Sequence, residues 1–311
     1  MGKNVGKLSS KDLVTILDFT REDIEQVFET TREQKPLARE HRLEHTHTNR
    51  TLACIFHKPS LRTRISFEVA MQQLGGNSLY VTNAEIGLGE RESIADVGRV
   101  MSRFVDGIMI RTFDHGHVEE LARESSIPVV NGLTDLTHPC QILADVFTVI
   151  ENFGSIEGRK VVYVGDGNNI AHSWINAAAL LDFPLVICTP RDYAPDPKVV
   201  DRAKSMGTLD LTVSHDPKQA VTGADVVYTD VWASMGQEAE AEQRAKAFAD
   251  YQLNEQLLAH AHDDAIVLHC LPAHRGMEIT DEVMDGPRSR VYDEAENRLH
   301  VQRAILSQLI P

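Results

Sequence analysis

The chain has 311 residues, 42% hydrophobic and 25% charged, with a formal net charge of −15 at pH 7. That length exceeds one comfortable hydrophobic core and predicts two domains. The acidic balance argues against a nucleic-acid partner, which needs a basic face, and no apolar run is long enough to span a bilayer.

In chain order, Met1–Ser10 carries lysines with no apolar stretch behind them, so no secretory signal is read and a cytoplasmic location is expected. Residues 8–44 read as helical, with Ser9-Ser10 capping a first turn and Thr20 preceding the acidic start Arg21-Glu22-Asp23. Thr51–Phe56 reads as a buried strand. Phe67, Ala70, Met71 and Leu74 then recur at the spacing of one helix face, and Gly75-Gly76 stops that helix. Between strand and helix lies Lys58-Pro59-Ser60-Leu61-Arg62-Thr63-Arg64. Its hydroxyls and guanidiniums stand where unbonded helix N–H groups and the positive dipole end point, a site for a phosphate-like anion. An N-capped helix with solvated arginines is the other reading of this stretch. In an acidic molecule such a site is a local positive focus.

Strand-like runs at 78–82, 107–111 and 128–131 alternate with helical ones at 94–104 and 118–124. His138 to Asn152 reads as one helix, with Pro139 in its first turn, and as the bridge between domains. A second alternating set has strands at 160–165, 185–189, 209–213, 225–232 and 265–271. The polar stretch 233–251 reads as a mobile lid or as a surface loop leading into a solvated helix. Val291-Tyr292 reads as a short last strand, and 296–309 as a closing helix. The alternation predicts an α/β protein of two doubly wound parallel-sheet domains. The expected boundaries are 1–137, the bridging helix 138–152, 153–295, and a C-terminal helix 296–311 packing back on the first domain.

The four cysteines, Cys54, Cys140, Cys188 and Cys270, form no CxxC pair and are expected as thiols. The histidine pairs 45/47, 115/117 and 260/262 have no completing third ligand in view, so no metal is expected. Gly165-Asp166-Gly167 resembles a dinucleotide fingerprint, but Ile170 replaces the third glycine and Thr189-Pro190 stands where a ribose-binding acid is wanted. A nicotinamide cofactor is therefore not expected. His138-Pro139-Cys140-Gln141 puts a histidine at the unfavourable dipole end for a charged ring, which suits a neutral imidazole. Ligands in parallel α/β sheets bind outside the carboxyl ends of strands. Ser60–Arg64, Arg111, Asn169, Asp230 and His269-Cys270-Leu271-Pro272 all fall at such ends. Neighbours on a strand face opposite ways, so His269 and Cys270 are not expected to form a dyad.

Ser60-Leu61-Arg62-Thr63-Arg64, His138-Pro139-Cys140-Gln141, Asp230 through Ser234-Met235-Gly236, and His269-Cys270-Leu271-Pro272 occur in the order seen in transcarbamylases. Over nearly its whole length the chain resembles the ornithine carbamoyltransferases, and Gly165–Asn169 and Glu294–Arg298 strengthen the likeness. The resemblance implies carbamoyl phosphate on the first domain, held by Ser60, Leu61, Arg62, Thr63, Arg111, His138 and Gln141, with Arg298 and the backbone at Cys270 and Leu271 around the carbamoyl group. It implies L-ornithine on the second, bound by Asn169, Asp230, Ser234 and Met235. The catalytic set it implies is Arg62, Arg111, His138, Asp230 and Cys270. It also implies a homotrimer or multiples of one, with the loop 86–92 reaching a neighbouring subunit, and no cofactor. Leu61 stands where threonine is common, His57 where an acid is frequent, and Gly87 where some members carry a glutamine. Transfer to putrescine or an N-acylornithine, or an inactive carbamoyl phosphate-binding regulator, are the alternative functions.

Overall fold

The two alternating runs fold as two separate parallel sheets. The computed structural model describes residues 7–234, 236 and 238–311. The chain divides into two compact units, one running up to Ala144 and resuming at Arg298–Pro311, the other Asp145–Asn297.

In the first unit, β1 (Thr51–Phe56), β2 (Asn77–Thr82), β3 (Gly107–Arg111) and β4 (Val129–Leu133) form a parallel sheet of order β2-β1-β3-β4. Leu52 to Phe56 and all of β3 and β4 are buried. Helices cover both faces of such strands, so they read as continuous apolar runs. The chain leaves β1 toward β2 and then returns to the other side of it with β3. The order therefore reverses between β1 and β3, whose carboxyl ends, Phe56 and Arg111, lie in register. The N–H of His57 donates to the Arg111 carbonyl at 2.9 Å.

The second unit repeats the plan. Here β5 (Val161–Val164), β6 (Leu185–Cys188), β7 (Leu211–Ser214), β8 (Val226–Thr229) and β9 (Ile266–His269) pair in parallel in the order β7-β6-β5-β8-β9. The reversal falls between β5 and β8, where Val164 and Thr229 are in register. Both reversals are the crevices where open α/β sheets bind ligands.

Three sequence expectations need correction. Residues 8–44 are not one helical stretch, because the helix is Arg21–Arg39, capped by Thr20 as expected. Ahead of it the chain runs as a strap along β4. Leu13 bridges Val130, the Asn131 side chain donates to the Val14 carbonyl, and Lys11 Nζ reaches the carbonyls of Ala122 and Ser125. Ser9 binds Asp23 instead of capping a turn of its own. Backbone pairing to an open sheet edge outweighs local helix preference here. Second, Val291-Tyr292 is the first turn of the helix Val291–Leu309, where Asp293 and Glu294 suit the positive dipole end. Third, 233–251 is not wholly solvated, since Arg244 and Phe248 within it are buried. The last helix packs on the first unit as expected: Arg303 donates to Gln34 and Gln73, and Gln26 to Gln308.

Candidate active site

On the first unit, the β1–β3 reversal gathers cations around one imidazole. The helix Leu61–Gln73 starts there, and the Ser60 hydroxyl accepts the Thr63 N–H at 3.3 Å and lies 3.1 Å from Thr63 Oγ1. Arg298 Nη2 donates to Thr63 Oγ1 at 3.0 Å. Arg111 closes β3 and is buried. His138, also buried, immediately precedes the helix Pro139–Phe153, and Gln141 is buried in that helix's first turn. Burial holds His138 well below its usual proton affinity, and the positive Arg298, Arg111, Arg62 and Lys58 push in the same direction. The imidazole is thus neutral, able both to donate and to accept, among four cations.

Sequence reasoning missed one of these. Lys58 is buried, bonds Asp135 at 3.0 Å and lies 4.9 Å from the Phe113 ring centroid. A lysine two residues past the end of a buried strand was the available signal. Two residues of the motif point elsewhere. Arg64 binds Glu68 at 2.9 Å and stacks on Tyr80 at 3.9 Å, and the Leu61 side chain is 76% exposed, leaving only its backbone for an anion.

On the second unit, the β5–β8 reversal gathers acceptors. Asp230, just past β8 and buried, accepts from Asn168 Nδ2 at 3.0 Å, from the Val231 N–H at 2.8 Å and from Cys270 Sγ at 3.0 Å. Asn168 is the second residue missing from the sequence-derived set, which has Asn169. Its Oδ1 caps the helix Asn169–Leu181 through the N–H of Ile170, so its amide is turned toward Asp230. Asn169 opens that helix and is half-buried, as is Ser234, while Met235 lies outside the described residues. Burial, then the Asp230 carboxylate, push the Cys270 thiol well above its ordinary value, so it is a protonated donor and not a thiolate.

His269 and Cys270 turn to different partners, as strand alternation predicts. The ring of His269 meets Glu278 at 3.1 Å, whereas Cys270 meets Asp230. Ligand atoms of Asp230, His269 and Cys270 lie within 4.8 Å of one another. Both ring nitrogens of His269 are engaged, however, one by Glu278 and one by the Leu271 N–H. The glycines after β5 have a structural use. A Cβ on Gly167 would meet the Pro195 nitrogen at 2.4 Å, so its close approach is to backbone, and Asp166 is bonded to Arg244 at 2.8 Å.

Two domain models of one family match the chain in sequence. Residues 11–151 match the aspartate/ornithine carbamoyltransferase carbamoyl-P binding domain, and residues 157–309 match the Asp/Orn binding domain of the same family. An ornithine carbamoyltransferase of Syntrophus aciditrophicus is 56% identical over 96% of this chain and 99% of its own. The solved ornithine carbamoyltransferase of Pyrococcus furiosus superposes with a TM-score of 0.93 at 50% identity, covering 98% of both chains. That of Burkholderia thailandensis gives 0.89 at 45%, covering 97% and 99%. Matched along both units and at this identity, the chain belongs to the aspartate/ornithine carbamoyltransferase family.

Proposed function

We propose that this chain transfers the carbamoyl group of carbamoyl phosphate to the side-chain amine of L-ornithine, giving L-citrulline and phosphate. The observation that carries the reading is the neutral His138 set among Lys58, Arg62, Arg111 and Arg298. Cations bind a dianionic phosphate, and an imidazole with an N–H donates to a carbonyl oxygen as charge develops on it. Ser60, Thr63 and the backbone after Leu61 hold the phosphate at the helix N-terminus. Gln141 and Arg298 bind the carbamoyl group on the first unit, and the backbone at Cys270 and Leu271 binds substrate on the second.

Asp230, supported by Asn168 and Cys270, binds the amino-acid end of ornithine, with Asn169, Ser234 and Met235 beside it. An alkyl ammonium has a pKa of ~10.4, so presenting the neutral amine at neutral pH costs about 4–5 kcal/mol. The neutral amine attacks the carbamoyl carbon, the carbon–oxygen bond to phosphate breaks, the attacking nitrogen gives up one proton to the departing phosphate, and Arg62, Arg111 and His138 stabilise the oxyanion and that phosphate. Alignment of two substrates supplies much of the acceleration.

An anabolic direction is supported by the Pyrococcus furiosus relative named an anabolic ornithine carbamoyltransferase, 51% identical over 97% of both chains. We assign a homotrimer or multiples of it. Exposed Leu61 and Ile65 share one helix face, and exposed Leu79 lies on the neighbouring edge strand β2, an apolar surface that suits a second copy. Among the described residues no helix is long and apolar enough to cross a membrane, and a cytoplasmic location is part of this reading. The test is product formation from carbamoyl phosphate with ornithine, N-acetylornithine, putrescine or aspartate. Citrulline from ornithine alone is expected. Turnover with a different acceptor refutes the second-unit assignment, and no turnover with any acceptor leaves a carbamoyl phosphate-binding regulator.

A further inference from the structure

His269, the last residue of β9, is held at three points. Its N–H donates to Glu294 Oε2 at 2.8 Å, its Nδ1 accepts the Leu271 N–H at 2.9 Å, and its Nε2 lies 3.1 Å from Glu278 Oε1. A ring nitrogen that accepts an N–H carries no proton, so the proton sits on Nε2 and is donated to Glu278. Glu278 Oε1 also accepts the His274 N–H at 2.5 Å, which fixes the carboxylate in turn. The side chains of His269 and Glu278 are both fully buried.

Leu271, the residue so gripped, has φ of 55°, a left-handed conformation that a branched side chain seldom adopts. One residue earlier, the same turn directs Cys270 Sγ at Asp230. A carboxylate behind an imidazole commonly sets the tautomer and orientation of a working ring. Here the ring's other nitrogen holds a backbone N–H in place of a nucleophile.

We propose that His269 and Glu278 are positioning residues for the carbamoyl transfer, a proposal that rests on the reading above: together they fix the turn that brings Cys270 and Leu271 to the substrates. Neither side chain touches substrate, and both act through Leu271. Existing contacts predict a specific rescue. In His269→Asn the side-chain oxygen bonds the N–H two residues on, as in an Asx turn, whereas His269→Leu fills the space with no acceptor.

Steady-state kinetics of the two variants test this. His269→Leu is expected to lower kcat about 100-fold, the scale of ångström-size misplacement, with KM for carbamoyl phosphate within about twofold, and His269→Asn to recover about tenfold of that loss. Equal kcat in the two variants, or a loss confined to KM for carbamoyl phosphate, overturns the proposal. Should His269→Leu fail to fold, Glu278→Gln and Glu278→Leu replace it. The glutamine oxygen accepts the same two N–H groups, so kcat stays within about threefold there and falls at least about tenfold in the leucine variant. No difference between them overturns the proposal. Nitrogen-15 histidine spectra of the wild-type protein, with His269 identified by its loss in His269→Asn, decide the point without activity. A proton on Nε2 alone supports the assignment, and a proton on Nδ1 refutes it. A wild-type protein that forms no citrulline refutes the carbamoyl-transfer reading and leaves the tautomer result standing by itself.

Discussion

Replacing Arg244 by alanine should destabilise the second unit more than the loss of a surface arginine can. Its Nη1 donates to Asp166 Oδ2 at 2.8 Å and to the Trp232 carbonyl at 3.1 Å, and its guanidinium lies 5.0 Å from the Tyr193 ring centroid. The side chains of Arg244 and Asp166 are only 8% and 10% exposed. The pairing with Glu240 contributes little, because that carboxylate is 57% exposed and screened by water. Removing Arg244 strands the Asp166 carboxylate in a dry site, which costs about 3–5 kcal/mol. For a unit of this size that is a fall in Tm of roughly 6–20 °C, at about 2–4 °C per kcal/mol.

The pH dependence follows from sign. Burial raises the Asp166 pKa and Arg244 pulls it back. Without Arg244 the folded carboxyl rises further above its unfolded value and holds its proton when the unfolded chain has lost it. The deficit is therefore largest at neutral pH and shrinks as pH falls through the folded pKa. Calorimetry and urea unfolding of Arg244→Ala, Asp166→Asn and the double variant measure the coupling directly. A loss below about 1 kcal/mol for Arg244→Ala, with additive single changes, refutes a desolvated bridge. Ornithine KM is expected to rise in the same variant, because Arg244 ties the segment after Trp232 to the loop bearing Asn168.

His138 gives an acid-side signature. Its folded pKa lies well below 6.5, so below 6.5 the unfolded chain takes up a proton that the folded chain does not. Wild-type stability relative to His138→Asn should fall on going from about pH 6.5 to about pH 5 by up to about 1.4 kcal/mol per unit, and stay level above; a pH-independent difference in urea unfolding refutes this. Thiol chemistry is the other. Burial pushes Cys54, Cys140 and Cys188 up to about 12 and Cys270 well above its ordinary value. Alkylation of the native protein at about pH 8 should be slow at all four, since thiolate is the reactive form, and fast stoichiometric labelling of Cys270 refutes its assignment as a protonated donor.

Where one residue pattern admits one backbone state, the chain was legible without coordinates. The nine runs read as parallel strands are β1 to β9, with β1 and β3 matching at both ends and no other end shifted by more than three residues. The Ser60 and Thr20 caps lie where hydroxyls precede a helical spacing. The element read as Val291-Tyr292 was wrong because two β-favouring residues are too short a window to outweigh the helix that follows.

The amino-acid sequence by itself determined which residue types stand at which strand ends, because alternation of strand and helix and the placement of caps are local properties. Only the tertiary structure decided which of them work together. Arg62 and Arg64 are two residues apart, yet one joins the cations around His138 and the other stacks on Tyr80. Asn168, the neighbour of the expected Asn169, bonds Asp230, and Lys58 is buried beside His138. The strap at Leu13, the Arg244–Asp166 bridge and the Glu278–His269–Leu271 chain join residues through strand order and burial. Those depend on where the sheet reverses and which groups lose water, and neither is a property of any one stretch of chain.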